Sequence, residues 1–191
     1  MLFGDVRISS TELARLVCRN VRSMMETHPS PASDTVWTKA VKQVLHEAGS
    51  RLGYDICCHG VQDCHEWLLD VVWWKTPTDT GGIGMALAVE SEWGDSVQGV
   101  LDDFRKLLCV KAPLKLMIYD GGDLPECGTA VQSGLKADLH SYHHHIAGEV
   151  YLFMGFGPTK EYCHRFVVPN DGILKNIEFE LLETSSMSAG A

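Results

Sequence analysis

Apolar side chains at helical spacing predict two helices near the start of the chain. Residues 9–12 read Ser-Ser-Thr-Glu, the pattern of a capped helix start, and apolar residues follow every three or four positions. A second apolar stripe follows Ser33 or Asp34, either of which would cap it, and ends at the glycines within 49–53. We therefore expect N-terminal helices over residues 10–50.

Further along, short apolar runs predict strands that alternate with helices. The expected strands cover residues 54–58, 66–74, 85–93, 114–119, 149–156 and 166–168, with one or two more over 173–182. One helix is expected to follow Asp95, which would cap it, and another is expected over 129–145. Three strands followed by a strand–helix–strand crossover predict an α/β fold, with a mixed central sheet of about five strands flanked by helices on both faces.

The composition fits one globular domain. Of 191 residues, 45% are hydrophobic and 21% are charged, which excludes disordered, collagen-like and coiled-coil classes. We expect a single α/β domain over residues 1–184, long enough to bury a core of its own. Residues 185–191, rich in Ser, Ala and Gly, are expected to form a flexible tail.

Charge, apolar run length and cysteine content limit the kinds of partner and location that we expect for the protein. Acidic residues outnumber basic ones 25 to 16, so any contact with nucleic acid must be local or bridged by a metal. No apolar run approaches the roughly 20 residues that a membrane-spanning helix needs, and the first residues lack the pattern of a signal peptide. We expect no membrane partner, a cytoplasmic location and seven reduced cysteines.

Three carboxylates interrupt strands that are otherwise apolar. Asp70 lies within 66–74, and Glu90 and Glu92 lie near the end of 85–93. Because side chains alternate along a strand, Glu90 and Glu92 point to one face, and Asp70 joins them if the two strands are neighbours. The alternative is a strand-end Asp70 in a salt bridge or a turn, with both glutamates on an exposed edge. The apolar run before Glu90 argues against that exposure.

Acids gathered in this way repel one another unless a cation neutralises them. Hard carboxylate oxygens favour Mg²⁺ or Mn²⁺ over zinc, so the sequence predicts such a site at Asp70, Glu90 and Glu92. An ion held there would activate a water and stabilise charge on a phosphoryl oxygen, the usual route to phosphodiester hydrolysis. The metal would also let an acidic protein meet a polyanion at one point.

The spacing of these acids resembles that of a nuclease superfamily. Asp70 stands 20 residues before Glu90-Ser91-Glu92, and a helix and a strand are expected to follow. This order is similar to that of the PD-(D/E)XK nucleases, which have the restriction-endonuclease-like fold. The preceding helix resembles the first core helix of that superfamily, in which a glutamate joins the metal site in several members, and Glu47 stands at the matching place. The resemblance implies a nuclease-like core over about residues 36–156.

The second motif departs from the usual pattern of the superfamily. It usually ends in a lysine that orients or activates the attacking water, but here the position is Glu92, as in a divergent minority with Glu-x-Glu. In that minority the second glutamate is a base or a ligand, and in other members a lysine comes from the following helix. Lys106 is the candidate for such a lysine. A helical wheel places it nearly opposite the apolar face of its helix, so a solvated position is the competing interpretation.

The resemblance implies a metal-dependent nuclease that hydrolyses phosphodiester bonds of DNA or RNA. Its expected catalytic residues are Asp70, Glu90, Glu92 and Lys106, and its expected Mg²⁺ or Mn²⁺ ligands are Asp70, Glu90, Glu92 and Glu47. Members of this fold class often dimerise when they cut duplex, so a homodimer is expected by analogy. The alternative is a catalytically inactive nuclease-fold protein that acts as a binding or regulatory module.

Cysteines and histidines offer a third, weaker interpretation. Residues 57–65 include Cys-Cys-His and Cys-His pairs that look like part of a zinc cluster, although adjacent cysteines on a strand point to opposite sides. Histidines at 140 and 143–145 lie near the end of a predicted helix, where His140 and His144 could share a face. Bound zinc would reveal such a metalloprotein.

Overall fold

The computed structural model of the protein describes residues 7–27, 34–58, 60–61, 68–75, 84–94, 96–121, 125–157 and 161–183. The helices in these ranges are α1 (Ser10–Thr27), α2 (Asp34–Arg51), α3 (Val97–Cys109) and α4 (Pro125–Ser141). The strands are β1 (Asp55–Cys57), β2 (Val71–Lys75), β3 (Gly84–Glu92), β4 (Leu114–Asp120), β5 (Val150–Phe156), β6 (Glu161–Val167) and β7 (Glu180–Leu182). None of the described helices combines the length and the apolar character that crossing a membrane requires.

The strands form one mixed sheet whose spatial order follows the sequence, from β1 to β7. The central strands β3, β4 and β5 run parallel, and the outer pairs on both sides are antiparallel. Parallel neighbours need a crossover connection, and α3 and α4 supply the two that are required. The predicted α/β class with a mixed sheet is confirmed. The expected number of about five strands was too low, because the short outer strands pair into the same sheet.

The two faces of the sheet pack into two separate cores. On one face, α1 and α2 contribute fully buried residues such as Val17 and Leu45. On the other face, α3 and α4 contribute fully buried residues such as Phe104 and Leu135. Successive residues of β5 go to opposite cores, as the pleat requires, whereas Ala86 and Leu87 of β3 share one core where the pairing with β2 shifts register. Helices therefore cover both faces, as predicted.

The first two helices start as their sequences indicate. Ser9 and Glu12 exchange hydrogen bonds, since Ser9 N donates to Glu12 Oε2 at 2.9 Å and Glu12 N donates to Ser9 Oγ at 3.2 Å. This reciprocal pair satisfies two backbone donors that the first turn of a helix leaves without partners. α2 begins at Asp34. Ser33, the other predicted cap, lies outside the described residues.

The next two helices differ from prediction at their ends. Ser96 caps α3, and its Oγ accepts a hydrogen bond from the backbone N–H of Gly99 at 3.0 Å. The predicted cap, Asp95, lies outside the described residues. α4 spans Pro125–Ser141 instead of 129–145, because proline is tolerated in the first turn of a helix, where its missing N–H is not needed. The helix ends before His144, so His140 and His144 do not share a helix face.

Two predicted strands are shorter than their apolar patterns. β2 starts only at Val71, because Asp70 and the two residues before it form a bend, and residues 62–67 lie outside the described part. Of residues 173–182, only Glu180–Leu182 pairs as a strand. Phe179 packs on the core below α3 and α4 without joining the ladder. Irregular chain packed on a core can also bury alternate side chains, so the pattern alone overestimated the strand. The expected tail, 185–191, lies outside the described residues.

Candidate functional site

Asp70 and Glu90 lie next to each other where the pairing of β2 with β3 ends. Val71, the first residue of β2, pairs with Val89 in an antiparallel register. Asp70 therefore stands beside Glu90 at the end of this ladder. Asp70 lies in the bend before β2 and not within the strand, which corrects its predicted placement. The register of one strand pair thus brings together two of the predicted acids.

Both carboxylate oxygens of Asp70 have partners inside the protein. Oδ2 accepts hydrogen bonds from Ser91 N at 2.9 Å and from Ser91 Oγ at 2.8 Å. Oδ1 forms an ion pair with Lys42 Nζ of α2 at 3.0 Å. These contacts match the alternative interpretation of the sequence, in which Asp70 lies at a strand end and forms a salt bridge. They hold the carboxylate in one orientation.

Glu90 is buried, with only 3% of the residue exposed. Its Oε1 lies 3.2 Å from Lys106 Nζ, but this ion pair does not have hydrogen-bond geometry, so Oε1 has no hydrogen-bond partner among the described residues. Burial, and then the charges of Asp70 and Asp103, raise the pKa of Glu90 to about 8, although Lys106 acts in the opposite direction. Burial at this place therefore favours the protonated form of the carboxyl, and a further cation beside it would favour the ionised form.

Lys106 reaches the site from α3. Its Nζ contacts Glu90 and also lies 2.7 Å from Oδ1 of Asp103, three residues earlier on the same helix. A helical wheel gives only the direction in which a side chain leaves the helix, and the long stem of Lys106 carries the ammonium group past Asp103 to the sheet. Burial lowers the pKa of Lys106, but the hydrogen bond with Asp103 and the charges of Glu90 and Asp103 outweigh it and raise the pKa overall. The side chain, 40% exposed, is thus a paired and partly solvated cation.

The two lysines approach the acids from opposite faces of the sheet. Lys42 belongs to α2, which packs on one core, and Lys106 belongs to α3, which packs on the other. Our sequence reasoning missed both Lys42 and Asp103. The spacing of Asp103 to Lys106 on one helix could have revealed that pair. No sequence signal joins Lys42 to Asp70, because only the packing of α2 on the sheet brings them together.

Glu92 shares a strand face with Glu90, but its carboxylate turns toward the start of α3. Oε1 of Glu92 accepts a hydrogen bond from Gly94 N at 2.6 Å. A Cβ built on Gly99 would lie 3.5 Å from Glu92 Cδ, which places the carboxylate at the first turn of the helix. The backbone N–H groups and the helix dipole stabilise a negative charge there. The described contacts of Glu92 are therefore with the start of α3 and not with Asp70.

Glu47 lies away from the other acids. It is exposed on α2, where Gln43 Nε2 donates to its Oε1 at 2.7 Å and Arg51 Nη2 lies 3.9 Å from its Oε2. Lys42, which contacts Asp70, is five residues earlier on this helix, about 140° around its axis. The structure thus does not bring Glu47 to the site that the resemblance implied.

The described residues contain no group of three or more His, Cys, Asp or Glu side chains that could hold a metal ion. Asp70 and Glu90 are adjacent, but Glu92 and Glu47 do not complete a group with them. Within the described part, Cys57 and Cys58 do not form disulfide bonds. The other predicted zinc ligands, His59, Cys64 and His65, lie outside the described residues.

A second buried polar cluster lies near the amino ends of β4 and β5. Lys115 and Glu149, exposed by 1% and 2%, form an ion pair with Nζ 3.2 Å from Oε1. Lys115 Nζ also donates to Tyr151 Oη at 3.0 Å, and Tyr151 Oη donates to Glu149 Oε2 at 3.2 Å. Burial lowers the pKa of Lys115, and Glu149 acts in the opposite direction. Because its groups satisfy one another away from solvent, removing one of them would leave the others unpaired inside the fold.

Comparison with known proteins does not assign the chain to a family. No family model matches it, and no curated protein matches it. The resemblance to the PD-(D/E)XK superfamily therefore rests on the residues and on the order of elements described above.

Proposed function

We propose that the protein is a metal-dependent nuclease of restriction-endonuclease-like fold that hydrolyses phosphodiester bonds of nucleic acid. One observation carries the proposal. The buried carboxylate of Glu90, with an oxygen that lacks a hydrogen bond, lies beside a second acid, Asp70, and within 3.2 Å of a lysine, Lys106. These two acids and the lysine are three of the four catalytic residues that the resemblance implies.

The order of elements around these residues supports the proposal. α2, the strands β1 to β3, α3 and β4 follow one another, with β2 antiparallel and β4 parallel to β3. Asp70 precedes β2, Glu90 lies on β3 and Lys106 lies on α3. Under this proposal, Lys106 from the following helix takes the place of the lysine that the second motif lacks at Glu92, one of the two arrangements that the sequence left open.

The donor groups fit a hard divalent cation. Mg²⁺ in enzymes is often held by one or two carboxylates, with waters and substrate phosphates completing its shell, so Asp70 and Glu90 suffice as protein ligands. Glu90 offers a buried oxygen without a hydrogen bond, and a cation bound beside it would offset the burial and the neighbouring charges that raise its pKa. Mg²⁺ or Mn²⁺ bound there would lower the pKa of a water and stabilise charge on a phosphoryl oxygen.

Lys106 would stabilise charge and orient the reacting groups. Since its pKa is raised, the side chain is protonated at neutral pH and can donate hydrogen bonds but cannot act as a general base. Its partly exposed ammonium group can turn from Asp103 toward a phosphate oxygen near Glu90. The proposal assigns no catalytic role to Glu92 or Glu47.

A cleavage assay tests this function. Single- and double-stranded DNA and RNA are incubated at low salt with the wild-type protein and Mg²⁺ or Mn²⁺. We expect cleavage, and we expect Glu90→Gln and Lys106→Met each to lower its rate by about 100-fold or more, the usual size for loss of a group that stabilises developing charge. Glu47→Gln is the matched control, because it makes the same change at an exposed acid and should cleave like the wild type. Cleavage that Glu90→Gln leaves intact would contradict the proposal.

The second candidate is a catalytically inactive nuclease-fold protein that acts as a binding or regulatory module. The contacts of Asp70 with Lys42 and Ser91, and of Glu92 with Gly94, favour it, because they satisfy these acids without a metal. Calorimetric titration with Mn²⁺ separates the two. A wild-type protein that is folded, binds no Mn²⁺ and cleaves none of the four substrates supports the inactive module.

A further inference from the structure

Lys42 occupies a defined place in the site, on the side of the sheet opposite Lys106. Its side chain is only 12% exposed, and its Nζ lies 3.0 Å from Asp70 Oδ1. The helix that bears it is fixed to the sheet one turn later, where Trp73 Nε1 donates a hydrogen bond to Leu45 O at 3.2 Å. The ammonium group is therefore placed on Asp70 by the packing of α2 and not by a flexible surface contact.

The contacts of Asp70 leave one oxygen for a cation. Oδ2 already accepts two hydrogen bonds from Ser91, which use both of its lone pairs. Oδ1 is then the oxygen through which Asp70 can bind a metal, and the ammonium group of Lys42 lies on it. Two cations that share one carboxylate oxygen repel each other, even where solvent partly screens their charges.

We propose that Lys42 is a built-in competitor for the divalent cation at Asp70. The inference rests on the proposed function, because it requires that Asp70 and Glu90 take a divalent ion. In the metal-free protein Lys42 neutralises Asp70 and keeps the carboxylate in place. Binding of the ion displaces the ammonium group from Oδ1, so Lys42 is a positioning residue that sets the metal concentration at which the site fills.

Mn²⁺ titration calorimetry on the full chain tests this role. Lys42→Gln removes the charge and keeps a polar partner for Asp70, whereas Lys42→Arg keeps the charge. We expect Lys42→Gln to bind Mn²⁺ roughly tenfold more tightly than the wild type, the effect of removing one nearby positive charge in a screened site. Lys42→Arg, and the control Lys39→Gln at an exposed position of the same helix, should stay within about twofold of the wild type.

If Lys42 has only a structural role, its replacement should not strengthen the binding of Mn²⁺. Lys42→Gln would then bind Mn²⁺ as weakly as the wild type or more weakly, and that result would overturn the inference. Melting curves give a second readout, since saturating Mn²⁺ should raise the melting temperature of Lys42→Gln more than that of the wild type. Lys42→Met replaces Lys42→Gln in both measurements if the latter does not fold.

The same titrations separate this inference from the proposed function. Equal affinities in the wild type and Lys42→Gln, with binding lost in Glu90→Gln, would overturn the role of Lys42 and leave the metal site standing. Folded wild-type and Lys42→Gln proteins that both fail to bind Mn²⁺ would overturn the metal site and the role of Lys42 together.

Discussion

Replacing Lys115 with methionine is expected to lower the free energy of unfolding by about 3–5 kcal/mol. Lys115 and Glu149 are almost fully buried, and their charged atoms are 3.2 Å apart. The substitution leaves the Glu149 carboxylate without its cation in a place that water does not reach. Methionine fills most of the space of the lysine stem, so the loss reflects the unpaired charge and not a cavity. Such a loss is a large part of the total stability of a domain, which is about 5–15 kcal/mol.

Urea denaturation at pH 7, followed by tryptophan fluorescence, measures this loss. The double variant Lys115→Met, Glu149→Gln removes both charges, so we expect it to recover at least about 2 kcal/mol relative to the sum of the two single variants. Lys111→Met makes the same change at an exposed position and should shift stability by no more than about 0.5 kcal/mol. A loss below about 1 kcal/mol in Lys115→Met, or additive single variants, would refute the account of a tightly coupled buried pair.

Three further predictions concern other parts of the fold. Glu90 binds its proton more tightly in the folded state, where its pKa is about 8, than in the unfolded state, where the ordinary value is 4.5. Between pH 5 and pH 8 the free energy of unfolding of the metal-free wild type, measured with urea, should therefore fall by roughly 3 kcal/mol more than that of Glu90→Gln. The same pH dependence in both proteins would contradict this. Gly49→Ala should lower the free energy of unfolding by about 1–3 kcal/mol despite the helix preference of alanine, because the new Cβ would lie 2.7 Å from the Nε1 of the buried Trp73. A melting temperature above that of the wild type would show that the Trp73 ring can move aside. Ser96→Ala should cost about 1 kcal/mol in urea unfolding through loss of the bond to Gly99 N, and Ser96→Asp should retain the stability.

The fold class could be predicted because most elements have a clear periodicity. The apolar stripe of α3 and the apolar run over 116–119 in β4 are each explained by one dominant pattern, since one face of the helix and both faces of that strand segment are buried. The apolar pattern predicted the wrong structure where a side chain is buried but its backbone is not paired in the sheet. Phe179 is packed on a core but does not lie in a strand, and Asp70 follows an apolar residue, Leu69, that is buried in a bend.

The candidate site could be predicted only where it depends on neighbours in sequence or on strand register. Asp70 and Glu90 are adjacent because one antiparallel pair aligns them, and the sequence predicted this only on the condition that the two strands are neighbours. The two lysines depend on how helices lie on the sheet. The position of Lys106 depends on a flexible stem that a wheel does not describe, and that of Lys42 depends on the packing of a helix distant in sequence from Asp70.

The arrangement of the sheet also has a consequence for how the chain folds. Each described strand after β1 pairs with the strand that precedes it in the sequence, so none has to insert between two that are already paired. Closing a short stretch of chain costs less conformational entropy than closing a long one, and sheets built from local pairings fold faster than those built from distant ones. We expect the sheet to grow strand by strand from its amino-terminal side, so that a chain emerging from the ribosome can add each new strand to an edge that already exists.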